Sequence, residues 1–229
     1  MIKFLALGLM LVYNSFYDHN SKVNVIMSKG LHLKPVCAEV LTKISGIGGL
    51  AVINGGFFNL KTGESSGCIC IDKKWLKETQ LCRSEIRVLE KDGKESYQIT
   101  THKMPVLNGY TLIHALGGGP QLLPALTLIQ ERFVRGGKES ICSSGYVSRT
   151  AIGIKKDGSL VLVVVDGPEK GTLSKGVTIW GLVDIMKKLD CMSAINMDGG
   201  HSSGMIYNGK VISISNPERR VKTALVIEE

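Results

Sequence analysis

The chain has 229 residues and a mass of 24.8 kDa, with 44% hydrophobic, 21% charged and 6% aromatic residues and a mean hydropathy of +0.13. That length suits one domain with a sizeable core, and the composition excludes a disordered or fibrous protein. The net charge of +8 allows an anionic partner, but the basic residues are scattered doublets without zinc-finger spacing, an RNP-like aromatic string or a basic tail, so nucleic acid is not an expected partner.

The longest apolar run, Phe4 to Tyr13, is shorter than the roughly 20 residues of a bilayer helix, and no integral membrane association is expected. With Lys3 in front of it, the segment 1–18 has the start and core of a secretory signal, which implies export to a periplasm or the medium. No small-x-small cleavage pattern follows at Tyr13-Asn14-Ser15, and the alternative is a first strand, which leaves the chain cytoplasmic. Residues 1–21 are set apart on this ground, and residues 22–229 read as the domain proper.

Val23 to Met27 alternates as a strand, and Cys37 to Ile44 reads as a short helix ended by Gly46, Gly48 and Gly49. Leu50 to Ile53 is a compact apolar strand that runs into Asn54-Gly55-Gly56. Residues 61 to 105 mix turn signals with β-like runs and suggest peripheral antiparallel hairpins, and Gly136 to Gly145 reads as a loop. Ala151 to Ile154 and Leu160 to Val165 are apolar strands joined by Lys155-Lys156-Asp157-Gly158. Ile179, Leu182, Val183, Met186 and Leu189 recur at helical spacing, with Thr178 as N-cap. Ala194 to Met197 is a strand, Asn208-Gly209 marks a tight hairpin, and Thr223 to Ile227 closes the chain as a strand. These elements predict an α+β fold: a single domain with a central mixed β-sheet flanked by a few helices, plus peripheral hairpins.

Six cysteines, at 37, 68, 70, 82, 142 and 191, leave two readings open: buried free thiols, or one or two disulfides. Cys68 and Cys70 flank one residue of an apparent strand and so share a face, which makes half a metal site without a second close pair to complete it.

Four short apolar runs each meet a polar residue beside glycine or at the strand's end: Asn54, Arg149, Asp166 and Asp198. Singly, each Asn-Gly or Asp-Gly is an ordinary turn dipeptide. Together they suggest a site, because strand ends on a rigid sheet hold side chains in fixed geometry. Asp166 and Asp198 supply the paired carboxylates of glycoside cleavage. Arg149 offers a planar fork for phosphate, and the adjoining glycines let backbone N–H groups approach an anion.

Gly200-His201-Ser202-Ser203-Gly204 matches the G-x-S-x-G elbow of hydrolases, but that motif needs a following helix and a downstream histidine. Here a hairpin follows, and the histidines lie at 19, 32, 102, 114 and 201, so the match is set aside. A divalent metal on Asp166, Asp198 and His201 is the competing chemistry, without any H-x-H or H-E-x-x-H pair to support it.

Six motifs in order carry a resemblance: Ile53-Asn54-Gly55-Gly56-Phe57-Phe58, Gly117-Gly118-Gly119-Pro120, Arg149-Thr150-Ala151-Ile152-Gly153, Val163-Val164-Val165-Asp166-Gly167, Gly176-Val177-Thr178 and Asn196-Met197-Asp198-Gly199-Gly200. With Arg219-Arg220-Val221 and Ala224-Leu225 fitting the family's last strand, the chain resembles the phosphodiester glycosidase family over about residues 22 to 228. The resemblance implies hydrolysis of the C1–O bond of a sugar 1-phosphodiester, releasing sugar and phosphomonoester, as in removal of N-acetylglucosamine, and for bacterial relatives a setting in exopolysaccharide or cell-envelope metabolism. It implies a site lined by Asp198, Asp166 and Arg149 as catalytic residues and by Asn54, Gly55, Gly56, Gly199, Gly200 and Ser202 binding a small-molecule or glycan phosphodiester; Thr178 and His201 are expected to bind beside them, and no cofactor or metal is expected. Asp198 is favoured as nucleophile or as base for water. Two departures stand out: His201 occupies the place of a usual third glycine, and the stretch from Pro124 to Ser148 does not match closely. The competing functions are a metal-dependent phosphodiesterase and a non-catalytic glycan-phosphate-binding module.

Overall fold

The computed structural model describes residues 9–135, 137–168 and 173–229. Lys3, the start of the apolar run at Phe4, and Gly136 lie outside them.

Among the described residues, eighteen strands form three main sheets and one small ribbon, and every strand pairing is antiparallel. The first sheet runs β1 (Met10–Asp18), β2 (Ser21–Lys29), β14 (Leu160–Val165), β13 (Arg149–Lys155), β15 (Cys191–Asn196), β10 (Gln121–Leu123). The second runs β17 (Lys210–Ile214), β16 (Gly204–Tyr207), β4 (Ala51–Asn54), β18 (Arg220–Glu228), β3 (His32–Lys43). The third runs β6 (Lys74–Lys77), β5 (Ile69–Ile71), β9 (Thr111–Gly117), β7 (Ser84–Lys91), β8 (Lys94–Thr101). The ribbon is β11 (Val134–Arg135) with β12 (Lys138–Glu139), the second of which lies inside the stretch expected to be loop. One α-helix is present among the described residues, α1 (Ile179–Lys188).

The α+β expectation is therefore corrected: the protein is mostly β, its sheets are antiparallel rather than mixed, and one helix stands where several were expected. Part of the error is the segment Cys37 to Ile44. It is not a helix but the end of β3, a twelve-residue strand paired with β18, and only Ile44–Gly46 forms a 3-10 turn. Pairing along a whole neighbouring strand outweighs the weak helical preference of its residues.

The core explains the apolar runs. On β14, Leu160, Leu162 and Val164 face a central core, while Val161, Val163 and Val165 face α1. Side chains alternate across a strand, so one covered on both faces reads as uninterrupted apolar sequence. The central core takes Ile152 and Ile195 from the first sheet, Ile53 and Leu225 from the second, and Ile86 and Leu116 from the third. The helix buries Ile179, Leu182, Val183, Ile185 and Met186 against the other face of the first sheet. A third cluster, with Ile44, Val52, Ile206 and Val226, covers the far side of the second sheet.

The turns follow their sequence signals. Asn208 and Gly209 both hold positive φ, +47° and +71°, as a two-residue hairpin between β16 and β17 requires. Gly158, at φ +81°, closes the β13–β14 hairpin. All six cysteines are free thiols.

Candidate active site

The ends of β4, β13, β14 and β15 bring four of the expected segments together. Asn54, fully buried at the end of β4, donates from Nδ2 to the Asp198 carbonyl (2.7 Å) and accepts at Oδ1 from Thr150 Oγ1 (2.7 Å) and the Gly204 amide (3.1 Å). The Asp198 amide returns a bond to the Gly55 carbonyl (3.0 Å). A buried amide side chain with such partners locks the Asn54 and Asp198 turns to each other. Asn54 thus supports the site from behind.

Gly55 and Gly56 are required by close approach, but to protein. Their amides donate to the Thr223 carbonyl (2.8 Å) and to Thr223 Oγ1 (2.9 Å). A Cβ on Gly56 would lie 2.2 Å from the Gly117 carbonyl oxygen. The Gly199 amide donates to Asp198 Oδ1 (2.9 Å) and the Gly200 amide to the Ser148 carbonyl (2.8 Å). These four amides hold the loops in place, and with those bonds made the charge of an anion falls to side chains.

Ser148 sits between the two aspartate turns. A Cβ on Gly167 would meet Ser148 Oγ at 2.2 Å, and one on Gly199 would meet the Ser148 carbonyl at 3.0 Å. Beside them opens a depression of about 600 Å³, within the usual range for small-ligand sites. It is lined by Val147, Ser148 and Gly200, by Pro168 after the Asp166 turn, by His201 after the Asp198 turn, and by Ser215 to Pro217 between β17 and β18.

Asp198 is largely enclosed at the end of β15. Burial pushes its carboxyl up to about 6, against hydrogen bonds from the Ser202 side chain and the Gly199 amide and the charge of Arg219. A carboxyl so placed changes protonation near neutral pH, as acid–base catalysis requires. Ser202, buried in a 3-10 turn (Gly200–Ser202), also accepts a bond from Arg219 Nε (3.2 Å). The Arg219 guanidinium lies 5.3 Å from the centre of the Phe58 ring, which follows the Asn54 turn. Sequence reasoning assigned Arg219 to the last strand and not to the site. Its signal, a basic doublet in a polar loop, is the signal of a solvated face.

Asp166 follows β14 with its own partners: Oδ1 accepts from Asn24 Nδ2 (2.9 Å) and Ser213 Oγ (2.5 Å). Burial raises its carboxyl above the usual range, opposed by Ser213, the charge of Lys22 and Asn24. Its turn reaches the depression through Pro168, and its partners Asn24 and Ser213 differ from the Ser202 and Gly199 that bond Asp198.

Arg149 is buried, and its Nε donates to the Val177 carbonyl (3.0 Å) while Nη2 donates to the carbonyls of Cys142, Ser143 (3.5 Å) and Gly145 (3.1 Å). In this geometry the fork holds the 142–145 loop against the start of α1. Thr178 is the N-cap of α1, its hydroxyl accepting from the Gly181 amide (3.1 Å), and it does not line the depression. His201 is exposed on the rim, and the G-x-S-x-G string leads into β16 rather than a helix. Asp166, Asp198 and His201 do not gather into a three-ligand group.

A family model described as phosphodiester glycosidase matches residues 48–228. Curated relatives include the N-acetylglucosamine-1-phosphodiester alpha-N-acetylglucosaminidases of Bos taurus and Homo sapiens, each 24% identical over 77% of this chain. The aligned region spans only 36% and 37% of those longer proteins. Among solved structures, the zebrafish enzyme of that name, its catalytic domain auto-inhibited by a pro-peptide, is similar with a TM-score of 0.75 and 20% identity, over 99% of this chain and 85% of that one. A putative exported protein from Burkholderia pseudomallei shares the fold with a TM-score of 0.70 and 17% identity, over 91% of this chain and 74% of that one. With the family model spanning residues 48–228, most of the domain, this chain belongs to the phosphodiester glycosidase family.

Proposed function

We propose that the protein hydrolyses the C1–O bond of a sugar 1-phosphodiester, with an α-linked N-acetylglucosamine 1-phosphodiester as the first substrate to try. The observation that carries this reading is Asp198, held with its carboxyl near 6 on a turn whose next residues, Gly200 and His201, line the depression, with Ser202 bonded to the carboxyl and to Arg219. A family name shared with the curated relatives gives the reaction class.

The bond that breaks expels a phosphomonoester, whose second pKa is near 6, so the leaving group needs little protonation. The work falls on activating water and on steadying charge. Asp198, ionised above its raised pKa, takes a proton from the attacking water. Arg219, and not Arg149, offers the guanidinium for the phosphate, because the Arg149 fork already serves backbone carbonyls. Asp166 assists as the second carboxylate that supports the oxocarbenium-like transition state. His201 on the rim contacts the sugar or the aglycone.

Hydrolysis in ¹⁸O-labelled water tests the reaction. Label found in the released sugar supports C1–O cleavage. Label found in phosphate shows attack at phosphorus, and binding of the phosphodiester without turnover shows a glycan-phosphate-binding module; either result overturns the reading.

A further inference from the structure

Away from the depression, the third sheet buries a second group of reactive side chains. Cys68 immediately precedes β5, Glu85 is the second residue of β7, and His102 follows β8. They are 1%, 0% and 6% exposed. Cys68 Sγ lies 2.7 Å from Glu85 Oε2, His102 Nδ1 lies 2.6 Å from the same oxygen, and the three donor atoms all lie within 4.8 Å of one another.

The fold brings them together for identifiable reasons. Glu85 stands opposite Thr100 of β8 and opposite Gly117 of β9, and the Gly117 amide donates to the Cys68 carbonyl (2.9 Å). A Cβ on Gly117 would come within 3.2 Å of Cys68 Sγ, so the glycine leaves the space through which thiol and carboxylate meet. Arg87 Nε holds the other carboxylate oxygen at 2.5 Å and turns Oε2 toward the thiol and the imidazole. The Trp75 ring covers His102 edge-on at 5.6 Å.

A buried carboxylate with an arginine and a histidine is costly to desolvate, and apolar residues of similar volume commonly stabilise a core as well or better. A thiol, a weak donor, adds little to such a pair as a hydrogen-bonding group. As ligands the three make chemical sense: thiolate, imidazole and carboxylate are the donor set of tetrahedral zinc. We propose that Cys68, Glu85 and His102 form a buried binding site for a divalent, zinc-class metal ion that staples the third sheet.

Metal entry breaks two bonds to hydrogen, the Cys68 S–H and the His102 Nδ1–H that faces the Glu85 carboxylate: both protons pass to solvent, and a ring that was neutral takes one up at Nε2, so that Nδ1 is free to ligate. Zinc bonds of about 2.0–2.3 Å require donors to separate to roughly 3.3–3.5 Å, an adjustment of under about 1 Å from the hydrogen-bonded distances. Arg87 then acts as the partner that orients the ligating carboxylate. The three residues leave the fourth position of a tetrahedral ion to water or an added ligand. The site shares no residue with the depression, so it stands or falls apart from the proposed catalysis.

Cobalt(II) titration of the chelator-treated full chain tests the proposal. Folded wild-type protein should bind one equivalent and develop a thiolate-to-cobalt charge-transfer band that zinc abolishes, and zinc should raise the melting temperature. Cys68→Ser should lose the band, and Cys82→Ser/Cys142→Ser, which removes the two exposed thiols, should keep it. No thiolate band in the folded wild type overturns the site whatever the variants do, as does a band that disappears with the exposed thiols.

Discussion

Asp198 carries a carboxyl that the fold keeps close to the point of ionisation, and that placement has two measurable consequences. Because the folded state binds this proton more tightly than the unfolded chain, the contribution to stability is full below about pH 4 and is lost as pH rises through about 6. Asp198→Asn removes the penalty, so at pH 8 the variant should be more stable than wild type by up to about 3 kcal/mol, with the gain vanishing near pH 4. Chemical denaturation at both pH values measures it. Activity should move the other way: kcat/KM of the wild type should fall below about pH 6 as the base is protonated, and the Asn variant should lose it by several orders of magnitude. Arg219 is argued from contact rather than titration. Arg219→Gln removes the charge beside Ser202 and Asp198 and should lower kcat/KM by about 2 to 4 kcal/mol of transition-state stabilisation, with the melting temperature nearly unchanged because the side chain is only half-buried.

At the scale of elements, what the sequence made legible was what period and turn chemistry control. The helix over Ile179–Lys188, the hairpins at Gly158 and Asn208-Gly209, and the apolar strands β4, β13, β14 and β15 all follow local signals. β3 did not, because its strand character comes from β18, some 180 residues on in the chain, and no local pattern announces that pairing. The same limit applies to the site. Asp198 was visible as a polar residue ending a buried strand, whereas Arg219 reaches it only through the path of the loop between β17 and β18. Glycines were legible as places of close approach, yet Gly55 and Gly56 approach Thr223 and Gly117. Thr178 illustrates a residue whose local reading suffices. Its hydroxyl caps α1 at the Gly181 amide, so Thr178→Ala should cost about 1 kcal/mol in denaturant unfolding and leave KM unchanged.

On the scale of the whole molecule, the three sheets meet in one core, and this bears on how the protein unfolds. Ile152 and Leu162 of the first sheet, Ile53 and Leu225 of the second, and Ile86 and Leu116 of the third bury the same apolar surface, so none can leave without exposing the others. The two tryptophans sit at well-chosen points to test this: Trp75 on β6 at the edge of the third sheet, and Trp180 in the first turn of α1 against the first sheet. Both are partly exposed, so replacing either by phenylalanine removes little buried area. In single-tryptophan variants, Trp75→Phe and Trp180→Phe, fluorescence should report the same denaturant midpoint, and far-ultraviolet circular dichroism should coincide with both. An earlier midpoint for Trp75 alone would mean that the third sheet melts as a separate unit, and that the central core does not couple it to the strands carrying Asp198.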